Sequence, residues 1–284
     1  MLNGFKLSLD NVDPFADWIK DGREILESTW PKKSRELDDF IAKGVLDGDA
    51  IKGKWFQKTN AHVFISHAHA NESQALGLAG FLWKKLGLLP FVDSLIWGDQ
   101  TELQSRIDRK YCWTDNKKET FNYDKRNYST SHVHMMLATS LTAAMDSCEC
   151  LIFLDTPKSI SIADADAPDL GKVATESPWI YHELMTSSVL ERKADERRPE
   201  LKLAMESHRV HASDGAGIDE PLRVAYRAPV KHLSQMPVEK LQEAARRNVR
   251  TFDALDWLYQ HGAPNDRGPF VLLKSLLEEV KRKG

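Results

Sequence analysis

His62-Val-Phe-Ile-Ser66 is a β-branched and aromatic run that stops in a polar loop, His67-Ala-His-Ala-Asn-Glu72. Residues 73–86 follow with Leu76, Leu78, Ala79, Leu82 and Trp83 on one broad face, which predicts an amphipathic helix. Gly87 is placed to end it as a left-handed cap. Leu89-Pro-Phe-Val-Asp93 then reads as a second strand. A strand–helix–strand unit of this length predicts parallel pairing. Cys150-Leu-Ile-Phe-Leu154, within a third strand over residues 149–155, is almost unbroken in apolar residues. A strand buried on both faces needs that composition, so it is expected at the centre of the sheet. The fold class predicted is α/β, flavodoxin-like, with a parallel central sheet.

Working outward, residues 1–58 read as a helical N-terminal extension. Phe15, Trp18, Ile19, Ile25 and Leu26 recur at helical spacing, Pro31 interrupts, and Leu37, Phe40, Ile41 and Val45 form a second stripe. Residues 59–235 form the main domain. Within it, residues 99–130 are polar and predict an insertion or loop. Residues 131–145 predict a helix with Met135, Met136, Leu137, Leu141 and Ala144 inward, and residues 176–192 predict another. Residues 200–204 and 222–226 read as edge strands. Residues 236–284 form a helical C-terminal extension packed on the domain, with helices over 237–247, 252–259 and 269–283.

The chain of 284 residues is 42% hydrophobic and 29% charged with a net charge of -3, enough for a sizeable core. Its pI near 6.4 gives no global field for nucleic acid or anionic membrane, and neither is expected as a partner. Basic residues over 191–198 are interleaved with acids and read as a solvated helix face. Three cysteines, Cys112, Cys148 and Cys150, cannot all pair, which suits reduced, partly buried thiols. The first residues lack an apolar run typical of a secretory leader, and no run approaches a membrane span. A cytoplasmic location is expected.

The second informative stretch is Ser177-Pro-Trp-Ile-Tyr-His-Glu183. Ser177 suits an N-cap and Pro178 the first helical position. Trp179 and Glu183, four apart, then share one face and can flank one pocket. On spacing alone, the better reading of Glu183 is a surface glutamate stabilised in the first half of a helix.

Taken in order, Val63-Phe-Ile-Ser-His67, Phe91-Val-Asp-Ser-Leu-Ile-Trp97 and the Trp179/Glu183 pair resemble the TIR (Toll/interleukin-1 receptor) domain. The similarity spans about residues 60–235 and is nearest to bacterial antiphage-defence TIR proteins. The enzymatic members of that family break down NAD+ through one glutamate in a Trp-x-x-x-Glu motif. The resemblance implies that Glu183 is the catalytic carboxylate and Trp179 its support. It further implies that Ser66 and His67 line the nucleotide pocket, and that Asp93 and Trp97 belong to the adjoining binding loop. Residues 99–130 and the two extensions depart from the family pattern. Nicotinamide leaves neutral from a cationic glycosidic bond, so no general acid is needed. A carboxylate under the ribose can stabilise an oxocarbenium-like transition state.

Other residue clusters suggest less. His67 with His69, and His132 with His134, have the spacing of metal pairs, but an Asp-His continuation is missing and no metal site is expected. Asp93 reads either as a strand-end cap or as a site residue, and Trp97 as a core anchor or a stacking surface. Cys148 and Cys150 have no further ligands near them in sequence. The expectation is an NAD+ nucleosidase in bacterial antiviral defence, yielding nicotinamide with ADP-ribose or a cyclic ADP-ribose signal. NAD+ is its substrate and no cofactor is expected. Self-association through the TIR domain, and a defence-system partner protein, are the implied interactions. The alternatives are a non-catalytic TIR scaffold, a related nucleoside N-glycosidase and, third, a metal-dependent hydrolase.

Overall fold

The computed structural model describes residues 3–9, 13–30, 37–42, 45–97, 100–160, 173–190 and 225–262. Five parallel strands form the central sheet. They are β1 (Asn3–Ser8), β4 (Val63–Ser66), β5 (Pro90–Phe91), β6 (Cys150–Asp155) and β9 (Ser234–Gln235), in the order β5-β4-β6-β1-β9. The chain is therefore α/β, and its strand order is consistent with a flavodoxin-like fold. As its composition predicts, β6 is central, and Cys150 through Leu154 are fully buried.

The position beside β6 corrects the reading of residues 1–58 as wholly helical. Residues 3–8 run parallel to β6 over its whole length, from Asn3 opposite Cys150 to Ser8 opposite Asp155. Phe5, Leu7 and Leu9 are buried while Lys6 and Ser8 are more accessible, a period of two that a strand produces and a helix does not. Lys6 Nζ and Asp155 meet at 2.8 Å on the opposite face. The rest of this region does include helices, α1 (Ile19–Thr29) and α2 (Gly48–Trp55), with a small hairpin of β2 (Ile41–Ala42) and β3 (Val45–Leu46) between them.

α3 (Glu72–Leu86) connects β4 to β5, and Gly87 ends it with φ 64°, the left-handed cap expected. α1 crosses α3 with almost no space between the backbones. A Cβ on Gly22 would lie 1.9 Å from the Leu76 carbonyl oxygen, and one on Gly80 would lie 2.1 Å from that of Trp18. Only glycine allows that approach.

Residues 99–130 are more regular than their polarity suggests. α5 (Gln100–Tyr111) and α6 (Tyr123–Ser147) pack against each other, joined at their turn by a Trp113–Phe121 bridge and stacked rings. Their contact is fixed by Asp108, only 3% exposed, which binds Arg126, Ser129 and Gln104 at 3.0, 2.7 and 2.7 Å. Those bonds, with the Cys112 thiol, outweigh burial and hold the Asp108 carboxyl below its usual range. Met135, read as inward, is 64% exposed, because α6 begins at Tyr123 and its buried face runs through Val133, Leu137 and Leu141.

β7 (Ala174–Thr175) and β8 (Tyr226–Arg227) form a separate antiparallel pair. α8 (Val238–Arg246) and α9 (Thr251–His261) fall where helices are predicted. The strand predicted over 200–204 and the helix over 269–283 lie outside the described residues.

Candidate active site

Because all five strands are parallel, their C-terminal ends share one side of the sheet. The chain leaves β4 toward β5 on one side, whereas β6 pairs with β4 on the other. In open parallel sheets such a switch point is where ligand crevices form. At this end of the sheet Thr156 Oγ1, just after β6, donates to Asn71 Oδ1 at 2.8 Å, and Ser159 Oγ closes the turn on the Leu154 carbonyl at 2.9 Å.

α7 (Pro178–Val189) delivers Glu183 to this end of the sheet. Its start follows the sequence prediction: Ser177 Oγ accepts from the Ile180 N–H at 3.2 Å, and Pro178 occupies the first turn. The helix is held by side chains around Glu183. His182 Nε2 lies 3.1 Å from the Ala138 carbonyl of α6 and 3.3 Å from Thr142 Oγ1, Tyr181 stacks on Tyr226, and Ser187 meets His232 at 2.8 Å.

Glu183 is 3% exposed, so it is not a solvated surface glutamate. Its Oε2 accepts a 2.5 Å hydrogen bond from the Ser66 hydroxyl at the end of β4. Burial pushes its pKa well above the usual carboxylate range, and the charge of Asp93 pushes it the same way; Ser66 opposes both. Asp93, at the start of α4 (Asp93–Ile96), is raised by burial and pulled back by His67.

His67 follows Ser66 and is 8% exposed. Its Nε2 lies 3.2 Å from Ser94 Oγ, while its Nδ1 is buried with no hydrogen-bond partner among the described residues. Burial lowers its pKa, against the opposing charge of Asp93. Ser66, His67, Asp93 and Glu183 thus converge at the ends of β4 and β5. Ser94 joins them; no sequence feature marked it beyond its place after Asp93.

The two tryptophans separate from this group to different degrees. Trp179 is partly buried and sets its ring edge-on to His134 of α6, 5.5 Å between centroids. Trp97 is 3% exposed, donates from Nε1 to the Gln57 carbonyl at 3.2 Å, and meets Phe56 and Phe91 edge-to-face. Its ring is buried against these core residues, so of its two sequence readings the structure shows the core anchor. Stacking on a base is not available to it in this arrangement.

Among the described residues no group of three or more His, Cys, Asp or Glu side chains is arranged to hold a metal ion. His69 is exposed while His67 is buried, and His132 and His134 turn to Tyr128 and Trp179 respectively. All three cysteines are free and buried. A groove of about 480 Å³ lies between α2 and α6, lined among others by Asp47, Lys52, His132 and Met136; it includes none of the residues around Glu183. No described helix is long and apolar enough to cross a membrane.

No protein family, curated protein or solved structure matches this chain.

Proposed function

We propose that the chain is a TIR-like enzyme that cleaves the nicotinamide–ribose bond of NAD+, with Glu183 as the carboxylate beneath the ribose. The observation that carries this reading is the placement of Glu183. It is buried, hydrogen-bonded to Ser66 and aimed at the C-terminal end of β4, where an open parallel sheet binds nucleotides. The sequence resemblance assigns the same residue the same role.

Glu183 in the free chain favours its neutral form. A cationic nicotinamide ring brought beside it favours the ionised form, as any opposite charge does at short range. The carboxylate then stabilises positive charge developing at the ribose as neutral nicotinamide leaves. Water as acceptor gives ADP-ribose, and an internal adenine nitrogen gives a cyclic product. Glu183 is occluded by protein, so NAD+ reaches it only when the crevice opens, and self-association through the TIR-like domain is the proposed means. A role in bacterial antiviral defence, with a partner protein that senses infection, follows from the same resemblance. The test is nicotinamide release from NAD+ by the chain under conditions that promote assembly. Its absence in every assembled form would favour a non-catalytic scaffold.

One observation favours a second reading. Two electrostatically interacting carboxyls, Asp93 and Glu183, lie at this end of the sheet, and both are shifted toward the neutral form. A neutral carboxyl can protonate a leaving base, which nicotinamide does not need but an ordinary nucleobase does. A nucleoside N-glycosidase would use the pair in that way. A panel of NAD+, NADP+ and deoxynucleosides separates the two by which glycosidic bond is cut.

A further inference from the structure

Ser66 and His67 are consecutive where β4 ends, and consecutive residues of extended chain send their side chains to opposite sides. Ser66 meets Glu183 on α7, and His67 meets Ser94 on α4. The end of one strand therefore carries a carboxylate on one flank and an imidazole on the other. Asp93, at the start of α4 next to Ser94, acts electrostatically on both. An imidazole only 8% exposed, with Nε2 on a serine hydroxyl and Nδ1 without a well-aligned partner, is a polar group placed in the core where an apolar side chain would fill the space at lower cost.

We propose that the crevice is bipartite: Glu183 and Ser66 hold the ribose, while His67, through Ser94, takes the proton from the water that attacks the ribose carbon. The proposal rests on the ribosyl-cleaving reading above and adds the acceptor half of that site. The bond between the ribose carbon and the nicotinamide nitrogen breaks, and nicotinamide leaves with the bonding pair as a neutral ring. The water oxygen forms the new bond to the same carbon. One water proton passes by way of the Ser94 hydroxyl to His67 Nε2 and is later released to solvent. NAD+ and water thus give ADP-ribose, nicotinamide and one proton.

The ring is set up for this. Nε2 faces the Ser94 hydroxyl at 3.2 Å, and in the tautomer with the proton on Nδ1 it offers its lone pair to that hydroxyl. Burial keeps the ring neutral before reaction. Asp93 and Glu72, the carboxylates that act on it, favour the imidazolium once a proton arrives, while His69 opposes it.

The experiment uses the full, assembled chain and reads nicotinamide release from NAD+ across pH for wild type, His67→Ala, His67→Asn and Ser94→Ala, with and without added imidazole. Removing a general base costs about 10²–10⁴-fold. The His67 variants are expected to lose at least about 10²-fold. Their acid limb, which in wild type contains the ionisation of both Glu183 and His67, is expected to be less steep by one proton. Imidazole is expected to restore part of the rate to His67→Ala and none to Glu183→Gln. Ser94→Ala is expected to lose less and to keep the steeper limb. Turnover within about threefold of wild type in His67→Asn, which cannot take up a proton there, overturns the proposal. So does a folded His67→Ala that keeps the wild-type pH profile or ignores imidazole. Should His67→Ala not fold, His67→Asn decides by its rate and limb. If wild type releases no nicotinamide, or Glu183→Gln releases it as fast, the ribosyl-cleaving reading fails and takes this proposal with it. If those two behave as expected and only the His67 variants do not, the proposal alone fails.

Discussion

Ser66 Oγ and Glu183 Oε2 lie 2.5 Å apart, tying the end of β4 to a helix 117 residues further along the chain. The bond couples stability to the site, because a carboxyl this buried cannot turn to water in place of a lost partner. Ser66→Ala removes the one contact that lowers the Glu183 pKa, so that pKa is expected to rise further. The lost partner costs about 1–3 kcal/mol. Urea denaturation measures the loss, and an unchanged midpoint would show that the bond contributes nothing.

The raised pKa of Glu183 has a sign that can be checked. A carboxyl whose folded pKa exceeds its unfolded value binds its proton more tightly in the native state. Its contribution to stability is full below the unfolded carboxylate range and is lost as pH rises through the folded pKa. Wild-type stability is therefore expected to fall across that window, and Glu183→Gln to flatten the fall. Equal slopes for both proteins in denaturation at several pH values would contradict the assignment.

The α1–α3 crossing gives a matched pair of substitutions. Gly80→Ala drives a methyl against the Trp18 carbonyl and the Gly22 N–H, both backbone, and is expected to destabilise by about 3 kcal/mol. Gly53→Ala, on the exposed side of α2 with nothing within 4 Å, is expected to stabilise by about 0.5–1 kcal/mol through helix propensity. Thermal melts of the two variants should move in opposite directions.

Burial pushes the Cys148 thiol up to about 12, and Cys150 also rises well above its ordinary value. Cys112 is raised too and is only 1% exposed. A thiol-specific disulfide reagent at about pH 8 is expected to label none of the three in the native chain and all three in denaturant, since the thiolate is the reactive form. Rapid native labelling would mean that the core around β6 opens.

These expectations draw on parts of the chain that differed in how readily their sequence could be read. β4, α3 and β6 were legible because their signals are local: an apolar run, an amphipathic stripe, a glycine cap. The start of α7 was legible for the same reason, through Ser177 and Pro178. β1 is hard to read although Phe5, Leu7 and Leu9 alternate, because the helical stripe from Phe15 onward dominates the segment and its partner β6 lies far along the chain. β9 has two residues, too few to show a period.

At the site, the type and spacing of Trp179 and Glu183 raised a question that sequence could not decide, and burial of Glu183 removes the solvated-surface alternative. Trp97 illustrates the converse. An aromatic residue after a strand reads alike as anchor or platform, and only its contacts with Phe56, Phe91 and Gln57 distinguish them. Ser94 gained meaning only when the fold brought His67 to it.

The central claim is that Glu183 cleaves ribose from nicotinamide, and the most direct measurement is free nicotinamide formed from NAD+ by assembled wild type and by Glu183→Gln. The account predicts release by wild type and a loss of several orders of magnitude in the variant, about 4 kcal/mol or more of transition-state stabilisation. Near-equal release by a folded Glu183→Gln would contradict it.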